Sequence, residues 1–290
     1  MITYNPKDWL KLIFEFHKSD TARRLFPTML VVALFTGVVV FLEDDYFHLK
    51  IKSSTVFHQI LGFVLSTLLV FRINSAYDRW WEGRKNWGSL VNNTRNLQIK
   101  IETLLPAGNI KDKLMLRKLI TTFVFTLKNH LKDQQDSSEI ESFEGFDKAE
   151  FLKAKHKPSY VVKLISQHVY NLNKQGVFSD THMLIFDEEV RSFLDITGAC
   201  ERIKNTPIPY SYSLFLKKII FIYIISMPFA FAIDFGYWSI PIVMFVFYAF
   251  ASLELISEEI EDPFGDDAND LPTQELSEKI KASLDEITKG

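Results

Sequence analysis

Four apolar runs interrupt an otherwise polar chain. Residues 25–42 carry no charge, and residues 56–71, 219–233 and 238–253 follow as further apolar runs. A helix needs about 20 apolar residues to cross a bilayer, and each run approaches that length. Buried core helices of soluble proteins can be as apolar and as short. Grouping into two pairs with tight intervening loops instead predicts two membrane hairpins.

The segment between the pairs, residues 73–212, is too long for a loop. Apolar residues return there every three or four positions, as in Leu114, Leu119, Ile120, Phe123, Val124 and Leu127, which predicts packed helices. No strand alternation competes with this period. Residues 134–142 form a polar break, Lys157-Pro158 is expected to end one helix, and residues 205–209 (NTPIP) are expected to end another before the third span. After the last span an acidic helix meets Pro263. A final amphipathic helix then follows, with Thr273 as its N-cap and Leu276, Ile280, Leu284 and Ile287 on one face. The predicted fold is an all-α membrane protein with four transmembrane helices and a helical cytoplasmic region. Its parts are an N-terminal amphipathic segment (1–24), a first hairpin with the second span (25–72), the helical region (73–212), a second hairpin (213–256), and an acidic turn with a C-terminal helix (257–290).

Charge placement orients these spans, because Lys and Arg gather on the cytoplasmic side. Lys18, Arg23 and Arg24 precede the first span, Arg72, Arg79, Arg84 and Lys85 follow the second, and Lys217 and Lys218 precede the third. Residues 234–237 hold no cation, and residues 43–54 mix three acids with Lys50 and Lys52. Both termini and the helical region are therefore expected in the cytoplasm, with Tyr237 and Trp238 as an interfacial anchor. Residues 1–24 are charged and amphipathic and carry no small-residue cleavage site, so no secretory signal is expected.

Composition narrows the function. The 290 residues hold 33 Lys and Arg against 36 Asp and Glu, a net charge of −3, which argues against a nucleic-acid partner. Hydrophobic residues make up 47% beside 24% charged, so apolar and charged blocks are segregated. The single cysteine, Cys200, excludes an intrachain disulfide framework and a cysteine zinc cage, and is expected to be a buried, inert thiol. Gly-rich phosphate loops, zinc-protease helices and nucleophile elbows are missing, so catalysis is not expected.

The densest chemistry follows the second span, in residues 71–84 (FRINSAYDRWWEGR). Read alone, the block is an interfacial anchor in which Asp78 and Glu82 meet Arg cations one turn away. It also resembles the segment after the second span of bestrophins, where an Arg-Trp-Trp run is a hallmark. Ile208-Pro209-Tyr210 before the third span and residues 260–267 (IEDPFGDD) after the fourth agree in order and position, and Asn269-Asp270-Leu271-Pro272 is similar to the prokaryotic members. The resemblance covers nearly the whole chain.

It implies a homopentamer in a bacterial inner membrane, around one axial pore lined by the second span of each subunit and passing monovalent ions. The family's hydrophobic neck maps onto Phe63, Thr67 and Phe71, with threonine where relatives carry a bulky apolar residue. A ring of hydroxyls hydrates more readily than an aliphatic ring, which lowers the barrier to wetting. A cytoplasmic constriction maps onto Thr181, for which the plainer reading is a surface helix cap. His182 beside it is read as a surface or packing residue, since a lone histidine is no metal signal. Asp180 at this exit would favour cations, and Arg72 would favour anions if it faced the lumen.

No cofactor is required by this reading. Glu258, Glu259, Glu261, Asp262, Asp266, Asp267 and Asp270 crowd hard oxygens around a Gly-containing turn, which suits calcium. In calcium-activated relatives this region clasps the ion, and Asp267 and Asp270 fall on acidic ligand positions while Asp262 falls where a carbonyl ligates. A solvated acidic surface is the alternative. Chloride or other small anions are the expected permeant ions. A sodium-selective channel and a membrane-anchored scaffold that recruits partners are the competing readings.

Overall fold

A computed structural model describes residues 20–46, 55–134, 138–140 and 142–289. The N-terminal segment 1–19, with Lys18, and residues 47–54, with Lys50 and Lys52, lie outside it, as does part of the polar break at 134–142. Among the described residues the chain is helical, and one isolated bridge, Phe143 with Phe146, is the sole strand-like pairing. The helices are α1 (Asp20–Val40), α2 (Thr55–Leu104), α3 (Ile110–Leu131), α4 (Lys148–Lys153), α5 (Lys157–Lys174), α6 (Asp180–Asn205), α7 (Tyr210–Phe235), α8 (Ser239–Glu261) and α9 (Thr273–Lys289). A π-helical turn, Phe41–Tyr46, extends α1, and a 3-10 turn, Gly236–Trp238, joins α7 to α8.

Three stretches are long and apolar enough to cross a membrane: Thr21–Tyr46, Val56–Leu104 and Tyr210–Glu261, the last comprising α7 and α8. The second differs most from expectation. No boundary falls after Arg72, because α2 continues unbroken for 50 residues. It contains no proline, and it stops one residue before the Leu105-Pro106 pair, where the pyrrolidine ring disfavours the helical conformation of its predecessor. One buried stripe runs along it through Leu65, Leu69, Arg72, Ala76, Trp87, Leu90, Thr94, Leu97 and Ile101. These positions keep the three-and-four spacing of a single helical face.

The chain divides into two compact units, one ending at Arg79 and resuming at Pro207–Glu261, the other made of Trp80–Thr206 and the chain from Asp262 onward. In the first, Leu65 and Leu69 of α2 pack with Ile220, Tyr223, Ile224 and Met227 of α7 and Val243 of α8. His58 Nε2 lies 3.1 Å from Ser226 Oγ, and the Tyr212 hydroxyl donates to the Leu68 carbonyl at 3.3 Å. Pro27 and Pro228 sit inside helices, as membrane spans tolerate. The turn from α7 to α8 rests on Gly236, whose φ of 50° would strain any residue with a Cβ. Trp238 is 76% exposed and Tyr237 is exposed too, its hydroxyl meeting Asp45 Oδ2 at 2.5 Å.

The second unit has a conventional aliphatic and aromatic core. Phe123 and Phe193 stack with centroids 4.7 Å apart, among Trp87, Leu97, Phe151, Phe186, Ile280 and Leu284. Leu119, Ile120, Phe123, Val124 and Leu127 are buried as their spacing predicts, but Leu114 is exposed. Lys157-Pro158 begins α5 instead of ending a helix: proline in a first turn gives up an N–H that has no intrahelical partner anyway. Asn205 does end α6. On α9, Ile280 and Leu284 are buried and Leu276 and Ile287 partly so, yet the Thr273 hydroxyl is buried without a hydrogen-bond partner and makes no cap.

Candidate pore face and acidic turn

Along the first half of α2, the face opposite the buried stripe is bare. Phe63 and Thr67 flank Leu65, and Thr67 and Phe71 flank Leu69, each two positions away. Two residues of an α-helix turn about 200°, which sends the two sets to opposite sides. Phe63 is 74% exposed, Phe71 and Thr67 are exposed, and Ile60 and Val70 continue the same surface. The structure therefore brings the three expected neck residues onto one uncovered strip without charge. His58 points the other way and is buried. Thr67 Oγ1 donates to the Phe63 carbonyl at 2.9 Å. Its proton is thereby committed, and its oxygen still accepts from water.

Arg72 takes a different place from the one sought at a lumen. It is 1% exposed, with Nη2 2.6 Å from Glu261 Oε2 and Nε 3.6 Å from Glu254 Oε2. Glu261 also accepts from the Ile208 backbone N–H at 2.5 Å, and its own carbonyl accepts from Arg79 Nε at 3.1 Å. The guanidinium is thus spent on fixing α2 to α8 and to the residues before α7. Nothing in residues 71–84 announces this, because the two carboxylates lie far along the chain. The acidic run divides accordingly: Glu258 pairs with Lys217, Glu259 with Arg24 and Glu261 with Arg72. Glu82, expected to pair along its own helix, instead meets Arg202 of α6 at 2.5 Å.

The turn after α8 is held in the second unit. Trp80 Nε1 donates to the Asn269 carbonyl at 3.0 Å, and Leu271 N–H to the Pro263 carbonyl at 2.9 Å. Phe264 is fully buried against Gly83, where an added Cβ would stand 3.1 Å from Pro263, 3.2 Å from Phe264 and 3.4 Å from Leu271. Asp270 is buried, and its Oδ2 accepts from the Asp267 N–H at 2.6 Å while Oδ1 has no hydrogen-bond partner. Burial, opposed by that bond and helped by the charges of Asp267 and Asp262, pushes its carboxyl up to about 7. A Cβ on Gly265 would lie 2.8 Å from Asp270 Oδ2 and 3.9 Å from the Asp262 carbonyl, so these two oxygens border one small space. Asp262 and Asp267 are exposed, and Asp266 pairs with Lys132. A buried carboxylate with one oxygen orphaned and the other bordering the space it shares with a carbonyl fits a hard cation.

At the expected exit, Asp180 is the first residue of α6 and accepts from Asn173 Nδ2 at 3.1 Å, while Thr181 is exposed beside it. Cys200 is buried, and burial, joined by the charges of Glu82 and Glu201, pushes its thiol up to about 12. That is the inert state expected of it. One group escaped the sequence reading altogether: His130, His156 and Glu201 converge in the second unit. No local spacing signals a trio drawn from three helical segments.

The profile describing bacterial and fungal bestrophin proteins matches residues 1–286. A voltage-dependent anion channel-forming protein of Nostoc sp. is 34% identical over 99% of this chain and 94% of its own. The protein of that description from Escherichia coli K12 is 30% identical over 98% of this chain and 93% of its own. The crystal structure of a bacterial bestrophin homolog from Klebsiella pneumoniae, carrying a point substitution, superposes with a TM-score of 0.85 at 25% identity, covering 92% of this chain and all of that one.

Proposed function

The chain belongs to the bacterial and fungal bestrophin family, and from that premise we propose that it is one subunit of a pentameric channel that lets chloride or other small anions pass a bacterial inner membrane passively. The observation that carries the reading is the uncharged strip Phe63, Thr67 and Phe71, bare along the second span while the opposite face of the helix is buried. Five such strips around an axis make a neck of phenylalanine and threonine rings. Four crossings, with both termini and the helical region in the cytoplasm, satisfy the cation distribution at the span ends.

Anions are favoured by the descriptions of the Nostoc and Escherichia coli relatives. The neck itself carries no charge to choose by. With Arg72 turned inward, selectivity falls to charges elsewhere along the pathway, and Asp180 is the residue that would pull it toward cations. Reconstitution in planar bilayers under a chloride gradient tests this. A reversal potential near the chloride equilibrium value supports the reading; one near the sodium value makes this a cation channel, and absence of unitary currents makes it a membrane-anchored scaffold.

Calcium is a second element of the proposal. Asp270 and the Asp262 carbonyl would hold the ion, with Asp267 beside them, and the ion would supply the positive charge that a buried carboxylate lacks. In chelator-treated protein, calcium should raise the melting temperature, and Asp267→Asn with Asp270→Asn should abolish the rise. Equal melting with calcium and with chelator reduces the turn to a helix stop.

A further inference from the structure

His130 lies in the last turn of α3, His156 immediately precedes α5, and Glu201 sits one turn from the end of α6. Three segments of the second unit thus deliver three donors to one point. His130 Nε2 and His156 Nε2 stand 2.6 and 2.7 Å from the same oxygen, Glu201 Oε1, and one ligating atom from each residue falls within 4.8 Å of the other two. The two rings meet at 62°, centroids 5.0 Å apart, so they approach the carboxylate from different directions. All three side chains are partly buried, none fully. Water can therefore reach the point they share.

We propose that His130, His156 and Glu201 bind a zinc-class divalent ion, with water completing a four-coordinate site. Two imidazoles and a carboxylate are a recurrent zinc donor set, and imidazole nitrogen favours zinc, cobalt and nickel over calcium and magnesium. The ion class therefore differs from that of the acidic turn.

Burial alone would raise the Glu201 carboxyl, but the hydrogen bonds and charge of His156 and His130 outweigh it and hold the group below its ordinary value. His156 Nδ1 accepts from the Ser159 N–H at 3.1 Å, which places the single ring proton of the neutral imidazole on Nε2. A metal at Nε2 shifts that proton to Nδ1 through solvent. The ring stays neutral, no proton is released from it, and the bond capping α5 is exchanged for a metal bond. Lys204 does not compete for the carboxylate, since its Nζ pairs with Asp133 at 2.6 Å and contacts the His130 carbonyl at 3.4 Å. Bound metal would tie the end of α3 to the start of α5 and the end of α6.

The test uses the full chain without a histidine tag, in detergent and stripped by chelator. Zinc should bind at one ion per subunit by elemental analysis and raise the melting temperature. Cobalt should give the visible absorption of a four-coordinate site, and calcium and magnesium should do neither through these residues. In a double variant, His156→Asn keeps a side chain able to cap α5 while His130→Gln removes the second imidazole. It should lose the cobalt bands, and its zinc affinity should fall by more than the roughly 10-fold that loss of a merely supporting partner brings. Should that variant fail to fold, Glu201→Gln, which keeps an acceptor for both rings, gives the same reading. Unchanged zinc affinity in a folded variant overturns the proposal, as does an unmodified protein without cobalt bands or zinc-induced stabilisation; either leaves the trio a hydrogen-bonded clamp.

Discussion

At the scale of single residues, Thr67 and Arg72 show how much one position decides. Thr67 stands between Phe63 and Phe71 on a strip that no part of its own chain covers. Thr67→Ile replaces a hydroxyl that accepts from water by an ethyl group and should dry and narrow the neck and lower single-channel conductance, while Thr67→Ala should keep or raise it. The lost bond to the Phe63 carbonyl is a helix back-bond, so folding should hardly change. Conductance indifferent to both, with Thr181→Ile altering it, would move the constriction to the exit. Arg72 predicts the opposite signature. Arg72→Ala leaves the buried Glu254 and the partly buried Glu261 beside an empty space, an arrangement that costs about 3–5 kcal/mol, so melting temperature in detergent should drop sharply. A variant as stable as the parent but with a shifted reversal potential would return this arginine to the lumen.

At the scale of elements, one helix of 50 residues carries both the second apolar run and the polar, aromatic block that follows it. Its existence was legible as two periodic segments, but its continuity was not. A polar, aromatic block at a membrane boundary reads as an end, and only Arg72 and Ala76 falling on the same buried stripe as Leu69 and Trp87 show that the helix passes through. The proline before α5 was misread for a related reason: it breaks a helix that precedes it and favours one that follows, and local sequence does not say which is present. Gly83 is the contact through which α2 seats the acidic turn. Gly83→Leu places four carbons where Pro263, Phe264 and Leu271 already stand, so it should cost about 1–3 kcal/mol and loosen the turn. Faster hydrogen exchange at residues 263–271, with α3 and α5 unchanged, is the expected record; uniform exchange across the chain would contradict it.

For the whole molecule, the exposed apolar surface is the dominant fact. Leu34, Phe63, Phe221, Phe245 and Trp238 are more than half exposed, far beyond what a soluble monomer leaves to water. Lipid would cover part of such a surface, and a ring of subunits would enclose the strip on α2 around a lumen. Native mass measurement in mild detergent should therefore give five copies. A homogeneous monomer that still conducts would refute the architecture.

The sequence by itself determined the apolar runs, the helical period of the segment between them and the helix stops at Asn205 and before Pro263, because each depends on residues a few positions apart. The common face of Phe63, Thr67 and Phe71 was legible too, since residues four apart stay within about 40° of one another on a helix. Tertiary structure alone decided where the charges went. Arg72 meets Glu254 and Glu261, Glu82 meets Arg202, and His130 meets Glu201 and His156 across separations that no periodicity encodes. A charge is sited by whichever partner the folded chain brings within reach, and burial then makes that choice binding, because a charge left unpaired away from water is too costly to persist.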